Sequence, residues 1–482
     1  MKIYFIMLFC LSISMNISAG DYGDIYGAHP AANAMGNAVT ATVNDSSSVF
    51  YNVAGLGKMS EGDKIFANLE KKKKEQEAGA PEKETPPPWG RFKERAGWEW
   101  NDIRKGTFTY TPSYRSEKTP HELTLQYNIA RPRLNTSAPT NQDLTKTKDD
   151  YAGLGLTLNL NSIYDLKRNF RFGLNMLIPA SGNLLVINDV NPTAHRYLQS
   201  GQSNQKPIIM GGLGIELWKD RLFAGVGFTA LAGGKGSMLL KDVPITPDKA
   251  IPNQQATIEV KPMINPVYGL AFQYGKFMAG VSYRREVALG MDPISARAQT
   301  TLLGIQMDLD VAVSDHFTPR KWAYGIGYKP KDSLTFTFDI NRELWSAYKL
   351  SRTKNTYSDP WSKFYMHDIT VIRGGAEFAL FDWLKLRGGL ARRPRPTPTM
   401  AGTNNIMDFD RFIVTGGTSL ILAPGMFSFL PNLKSPIILD FVVEYQKLHG
   451  EHVYKYFATQ RNPNYSMGGS VLHFGFSITT FL

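Results

Sequence analysis

The chain has 482 residues, with 54 Lys+Arg against 42 Asp+Glu, a formal net charge of +12 and a single cysteine. One cysteine excludes an intramolecular disulfide framework and a thiolate metal centre, and no segment offers the ~20 uninterrupted apolar residues that a membrane-crossing helix needs. The basic balance suits a surface facing anionic lipids or lipopolysaccharide phosphates; the basic residues are scattered and not gathered on one helix or aromatic platform, so nucleic-acid binding is not expected.

Lys2, the apolar run over residues 3–13 and Ser18-Ala19-Gly20 read as a secretory signal peptide over residues 1–20, with Cys10 inside it. Residues 21–62 carry few charges, many small side chains and no strand alternation. A short helix is expected near residues 31–38, and Asn44-Asp45-Ser46-Ser47-Ser48 has the side chains that cap a helix or close a turn. Residues 63–118 form an insertion before the first strand, expected on the periplasmic side. Its Lys71-to-Lys74 run, the Glu/Lys/Gly mixture that follows and Pro86-Pro87-Pro88 read as solvated and partly disordered. Trp89, Trp98 and Trp100 then sit among basic residues, as a linker or as a docking element for a periplasmic partner or head groups.

From residue 119 to 482 the pattern is period two. Leu334, Phe336, Phe338 and Ile340 alternate with Thr335, Thr337, Asp339 and Asn341, and the same rhythm runs through residues 384–390, 437–446 and 474–482. Strands are predicted near 121–131, 151–161, 169–180, 207–218, 221–232, 257–273, 276–288, 301–329, 332–346, 366–380, 383–392, 411–422, 436–449 and 468–482. In the eighth, Asp315-His316-Phe317-Thr318-Pro319 is a place for a break that would change the count by one. Connections at Lys219-Asp220, Lys331 and Phe381-Asp382 are very short, while others are long, the asymmetry of periplasmic turns and extracellular loops. The fold class expected is all-β: a membrane-spanning antiparallel β-barrel of about 14 strands, in the outer membrane of a diderm (Gram-negative-type) bacterium.

Several local sequences carry a resemblance. Gly36-Asn37-Ala38, Asn44-Asp45-Ser46-Ser47, Phe50-Tyr51-Asn52-Val53-Ala54-Gly55-Leu56, Tyr283-Arg284-Arg285-Glu286-Val287, the Pro-rich stretch from Arg393 to Pro398 and Asp408-Phe409-Asp410-Arg411-Phe412 occur in an order that resembles the FadL/TodX-type outer-membrane transporters of hydrophobic compounds. The resemblance implies fourteen strands, a lumen plugged by residues 21–62 as a hatch, and passive transport of long-chain fatty acids or similar hydrophobic molecules without a cofactor, with hatch movement on ligand binding. Asp45, Ser46, Phe50, Tyr51, Asn52, Val53, Gly55 and Leu56 would be hatch and gate residues. Val53 stands where the family usually has proline, which restores an N–H and frees one torsion. The family's lateral exit through a kinked third strand would fall here on Gly173, Pro179 and Gly182.

Strand parity places Arg373, Glu377, Lys385, Arg387, Arg411, Asp440 and Glu444 in the lumen. Most would form ion pairs; an anionic ligand head would be read by Arg387, Lys385 or Arg411, or by Arg373, since a guanidinium grips a carboxylate in bidentate fashion. Leu185, Val186 and Ile187 are a candidate outer capture surface. Enzyme chemistry is not expected: there is no Gly-x-Ser-x-Gly elbow, and histidines His121, His316, His367, His449, His452 and His473 are placed near strand ends, with His449-x-x-His452 the nearest to metal spacing. The alternatives are a general porin and a surface receptor or adhesin acting through the outer loops. Partners expected are a hydrophobic small molecule, outer-membrane lipids and lipopolysaccharide, and the barrel-assembly machinery, with the protein monomeric.

Overall fold

The computed structural model describes residues 22–77, 120–137, 149–161, 168–180, 196–197, 207–231, 234–289 apart from four two-residue gaps, 297–302, 305–310, 316–348, 365–399, 401, 406–424, 433–460 and 463–482. The signal peptide, the tryptophan-rich part of the insertion and Leu185 to Ile187 lie outside them. Fourteen antiparallel strands close on themselves: β1 (Glu122–Thr136), β2 (Asp149–Asn159), β3 (Phe170–Pro179), β4 (Ile208–Trp218), β5 (Leu222–Leu231), β6 (Met263–Tyr274), β7 (Phe277–Arg284), β8 (Arg320–Lys331), β9 (Leu334–Leu344), β10 (Ile369–Phe381), β11 (Leu384–Arg393), β12 (Arg411–Leu422), β13 (Ile437–Val453) and β14 (Tyr465–Phe481). The seam is β1 on β14, in register from Glu122 opposite Phe481 to Thr136 opposite Met467.

The wall is inside out relative to a water-soluble protein. On β1, Leu125 and Tyr127 are exposed while Thr124, Gln126 and Asn128 are buried; on β10, Ile372 faces out and Arg373 in. Outward apolar side chains removed from water by lipid, together with a wall that leaves no unpaired strand edge, are what a membrane-crossing barrel requires. Aromatic side chains gather towards the short-turn end: Trp218, Tyr274, Phe277 and Tyr328 are exposed there, with the Arg221 guanidinium 4.8 Å from the Trp218 ring and 5.3 Å from that of Tyr274. Such rings suit the head-group level. The hairpin between β6 and β7 turns on Gly275-Lys276, where Gly275 takes φ +56, a torsion a side chain would oppose.

The predicted eighth strand is corrected. Only Arg320–Lys331 belongs to the wall; Arg297–Leu302 and Ile305–Asp310 join Gly234–Leu240 and Gln254–Val260 in a separate four-stranded sheet on the long-loop side, and His316–Thr318 pairs with Val287–Leu289. The break expected at Asp315 to Pro319 therefore exists, and the count of fourteen stands because the detached pieces never enter the barrel. His473 is likewise corrected: it lies mid-strand in β14, fully buried, and not at a rim.

Inside the lumen sit α1 (Tyr22–Tyr26), α2 (Pro30–Ala34), α3 (Ser48–Tyr51) and a 3-10 turn at Val53–Gly57. From Ser60 a longer helix, α4 (Glu61–Glu77), follows, extending through the Lys71-to-Lys74 run that the sequence reads as solvated coil. Its start is a reciprocal cap: Ser60 N donates to Asp63 Oδ2 at 2.8 Å, and Asp63 N to Ser60 Oγ at 3.2 Å. The plug seats on glycines of the wall. Leu56 and Val49 lie over Gly173, Val53 over Gly212 and Gly225, Thr40 over Gly280, and Met35 over Gly375. At Gly389 the approach is closest, since a Cβ there would collide with the Gly36 nitrogen and the Met35 carbonyl carbon, whereas one on outward-facing Gly388 would meet only Thr415 O at 3.9 Å, an ordinary contact. Gly389→Val should therefore expel the plug from its seat at a cost of about 1–3 kcal/mol. Residues 22–57 should become protease-sensitive and single-channel conductance should rise, with Gly388→Val behaving as wild type in both assays.

Candidate functional site

The plug is held by hydrogen bonds that replace the water its backbone gives up. Asn52 Nδ2 donates to Thr40 O at 2.9 Å and to Leu270 O of the wall at 3.0 Å, while Asn52 Oδ1 accepts from Ala54 N. The Tyr51 hydroxyl donates to Asn37 Oδ1 and accepts from Ala28 N at 2.9 Å. Thr40 N donates to Asp339 Oδ2 at 2.9 Å, and Gly36 N to Thr415 Oγ1 at 3.0 Å. The plug divides the lumen into a long-loop half above and a short-turn half below.

Above the plug lies a cluster of charges. Asp24 on α1 accepts from Arg284 and, at 3.1 Å, from Lys321. Burial alone would raise the Asp24 carboxyl, but Arg284 and then Lys321 hold it well below the usual carboxylate range. The Phe50 ring lies 4.9 Å from the Arg284 guanidinium and 5.8 Å from the Lys321 ammonium, a cation–π floor beneath the pair. Arg393 grips Glu343 through two bonds of 2.7 and 2.8 Å. Arg411 bonds Gln446 at 3.3 Å and approaches Asp408 at 3.5 Å. Arg373 differs from all of these. It stands on β10 between Asp339 and Ala391 of the neighbouring strands, two residues to the long-loop side of Gly375, where the plug touches the wall. Its side chain is buried and forms no ion pair within 4 Å among the described residues, although Asp339, opposite it on β9, and Glu444 interact with it electrostatically.

Below the plug is a cavity of about 1130 Å³, between the plug, α4 and the short turns. Lys385 and Arg387 line it, but as members of a closed network: Lys385 reaches Glu61 of α4 at 2.6 Å, and Arg387 bonds Glu377 at 2.7 Å, Asp440 at 3.2 Å and Ser419. Of the predicted cations, these two therefore hold the short-turn end of the lumen together, Arg411 is engaged in the upper half, and Arg373 has Asp339 and Glu444 in its field without a direct ion pair to either. Of the predicted hatch residues only Asp45 lines the cavity. Its carboxylate caps the next turn, accepting from Ser47 N at 2.8 Å, while Ser46 presses on Gly155, and Gly55 lies against Val43 and Ser48. Phe50, Tyr51, Asn52, Val53 and Leu56 are interior plug contacts. Gly173 seats Leu56, Pro179 pairs with Tyr151, and Gly182 lies outside the described residues; β3 keeps unbroken register with β2 from Arg171 to Pro179 and with β4 from Phe170 to Leu177.

Sequence reasoning missed several charged residues of this interior, Asp24, Lys321 and Lys58 among them. Asp24 lies in a segment without alternation, so no parity rule applies to it. Lys321 fell inside the over-long eighth strand, and Lys58 in a stretch that looked like the end of a motif. Arg284 was visible within Tyr283-Arg284-Arg285-Glu286-Val287 without a partner to assign.

No family model matches the chain, and neither does any curated protein. Solved structures do. The crystal structure of a Pseudomonas aeruginosa FadL homologue aligns with a TM-score of 0.50 at 14% identity, covering 94% of this chain and 98% of that one. A deltaS2 mutant of the TodX monoaromatic hydrocarbon channel aligns with a TM-score of 0.50 at 12% identity, over 95% and 100% of the two chains. With fourteen strands closed around an N-terminal plug, the chain has the fold of the FadL-type outer-membrane channels.

Proposed function

We propose that the protein is a passive outer-membrane carrier of long-chain fatty acids or similar hydrophobic molecules with one anionic end, and that Arg373 reads the anion. The observation that carries this is the buried Arg373 guanidinium on the long-loop side of the plug, whose Nε has no partner and which no carboxylate grips directly among the described residues, Asp339 and Glu444 acting on it only electrostatically. A buried guanidinium whose donors are not all taken up is costly, and a ligand carboxylate offers the bidentate acceptor that Asp339 and Glu444 do not. Each ligand methylene that leaves water adds roughly 0.8 kcal/mol, so the apolar tail supplies affinity and the head supplies orientation. The structural neighbours, a FadL homologue and a monoaromatic hydrocarbon channel by their titles, support a hydrophobic cargo.

Hatch movement follows from the same cluster. Asp24 bonds both Arg284 and Lys321, and it belongs to α1. A ligand carboxylate arriving beside Arg373 competes for these two cations. Loss of the Asp24 contacts then loosens α1 while the glycine-seated turn at Val53–Gly57 holds.

Two measurements test this reading. In the refolded barrel, Arg373→Met should weaken binding of a fluorescent long-chain fatty acid by roughly tenfold to a hundredfold, the worth of a charge-assisted hydrogen bond, and leave the alcohol of equal length unaffected. Equal affinity for acid and alcohol in the wild type, or an unchanged acid affinity in the variant, would refute it. Asp24→Asn should mimic the ligand-bound state: breaking a buried pair by removing one partner costs about 3–5 kcal/mol, so residues 22–34 should become protease-sensitive without ligand, and fatty acid should add no further sensitivity.

A further inference from the structure

The cavity below the plug is larger than the roughly 300–1,000 Å³ of pockets that take drug-sized ligands. Its walls are of two kinds. Met35, Val39, Val43, Phe223, Met278 and Ile65 give it an apolar side. On the other side lies the network of Lys385, Glu377, Arg387 and Asp440, neutralised within itself, with Asp45 and Glu122 also reaching the cavity. Between them stands Lys58, at the join of plug and α4.

Lys58 is held on both sides. Its backbone carbonyl accepts from Arg171 NH1 at 2.8 Å, and its ammonium donates to the carbonyl of Ala41. That carbonyl is its only acceptor among the described residues, and no carboxylate pairs with it. An ammonium has three donors, so two are left for another acceptor. The residue is 6% exposed, which places an uncompensated charge on the wall of a cavity wide enough to admit a ligand. Burial pushes the Lys58 ammonium down to about 7, with Lys64 adding to the effect. An anion in the cavity would reverse both.

We propose that this cavity is a second binding site, on the short-turn side of the plug, for a single-chain amphiphile with a carboxylate head, its head on Lys58 and its tail along Met35, Val39 and Phe223. The ligand class rests on the carrier function proposed above, but the site rests on Lys58 and not on Arg373. Helix α4 forms its floor through the Glu61–Lys385 ion pair and the packing of Ile65 and Phe66 against Ile421, Ile438 and Phe481. The site thus exists only while α4 is docked.

Equilibrium dialysis of radiolabelled palmitate against the full-length barrel in lipid nanodiscs tests this, with heat-modifiable electrophoretic mobility as the check on folding. Wild type should bind two equivalents. Lys58→Met should lose one of them, with tenfold or more weaker binding at that site; Lys58→Arg should keep both, and methyl palmitate should not occupy the Lys58 site. A photoactivatable palmitate should label residues 35–43 and 61–71 in wild type and lose that labelling in Lys58→Met. Two equivalents retained in Lys58→Met, or labelling confined to the long-loop half, would overturn the second site. Loss of one equivalent in Lys58→Met but none in Arg373→Met would uphold it while refuting the role of Arg373. The converse would refute the second site alone, and no saturable binding in wild type would overturn both.

Discussion

A stretch of chain with little regular structure stays inside a barrel only if its peptide groups find partners and its backbone can come close enough to reach them. Both conditions are met here by the same wall. Strand glycines such as Gly389 and Gly225 remove the Cβ layer that would hold the plug away, so Gly36 and Val53 sit against the strands themselves. Thr415 and Asp339 then reach the plug backbone from fixed positions on the wall, and Asn52 of the plug reaches back to Leu270 O. The glycines are weak strand formers, and the wall tolerates them because each strand is paired on both sides around a closed ring.

With the plug fixed, the lumen becomes a problem of charge compensation. The interior carries many ionised side chains because the outside is reserved for lipid, and most of them are neutralised within hydrogen-bonding distance. Arg393 with Glu343, Arg171 with Asp63 and Arg387 with Glu377 and Asp440 are direct ion pairs or networks. Against that background Arg373 above the plug and Lys58 below it stand out, since neither is gripped directly by a carboxylate among the described residues. They lie on opposite sides of the glycine seat, one on a strand and one on the plug.

How much of this was readable beforehand depends on the range of the interaction. Strand parity is local, so the inward placement of Arg373, Glu377, Lys385 and Arg387 follows from the period of two, and β12 was delimited at residues 411–422 as observed. The eighth strand was overextended because alternation continues through Arg297–Leu302 and Ile305–Asp310, and a hairpin in an outer sheet has the same period as one in the wall. Helix α4 was hidden by its lysines, which suggest solvation; its Ser60–Asp63 cap was present in the sequence, but the apolar contacts of Ile65 and Phe66 come from strands some 350 residues later and from the chain's last strand. For the same reason parity could name the lumenal cations without telling which of them are spoken for. Pairing is a property of closure.

The packing of α4 against β14 has a consequence for assembly. Phe66 meets Phe481 edge-on with ring centroids 6.3 Å apart, Gly62 lies directly against that same ring, and His121 and Leu482 exchange backbone hydrogen bonds of 3.0 and 2.9 Å at the end of the seam. The helix that follows the plug therefore docks on the strand that closes the barrel. Closing the seam of β1 on β14 thus also completes the surface on which α4 docks.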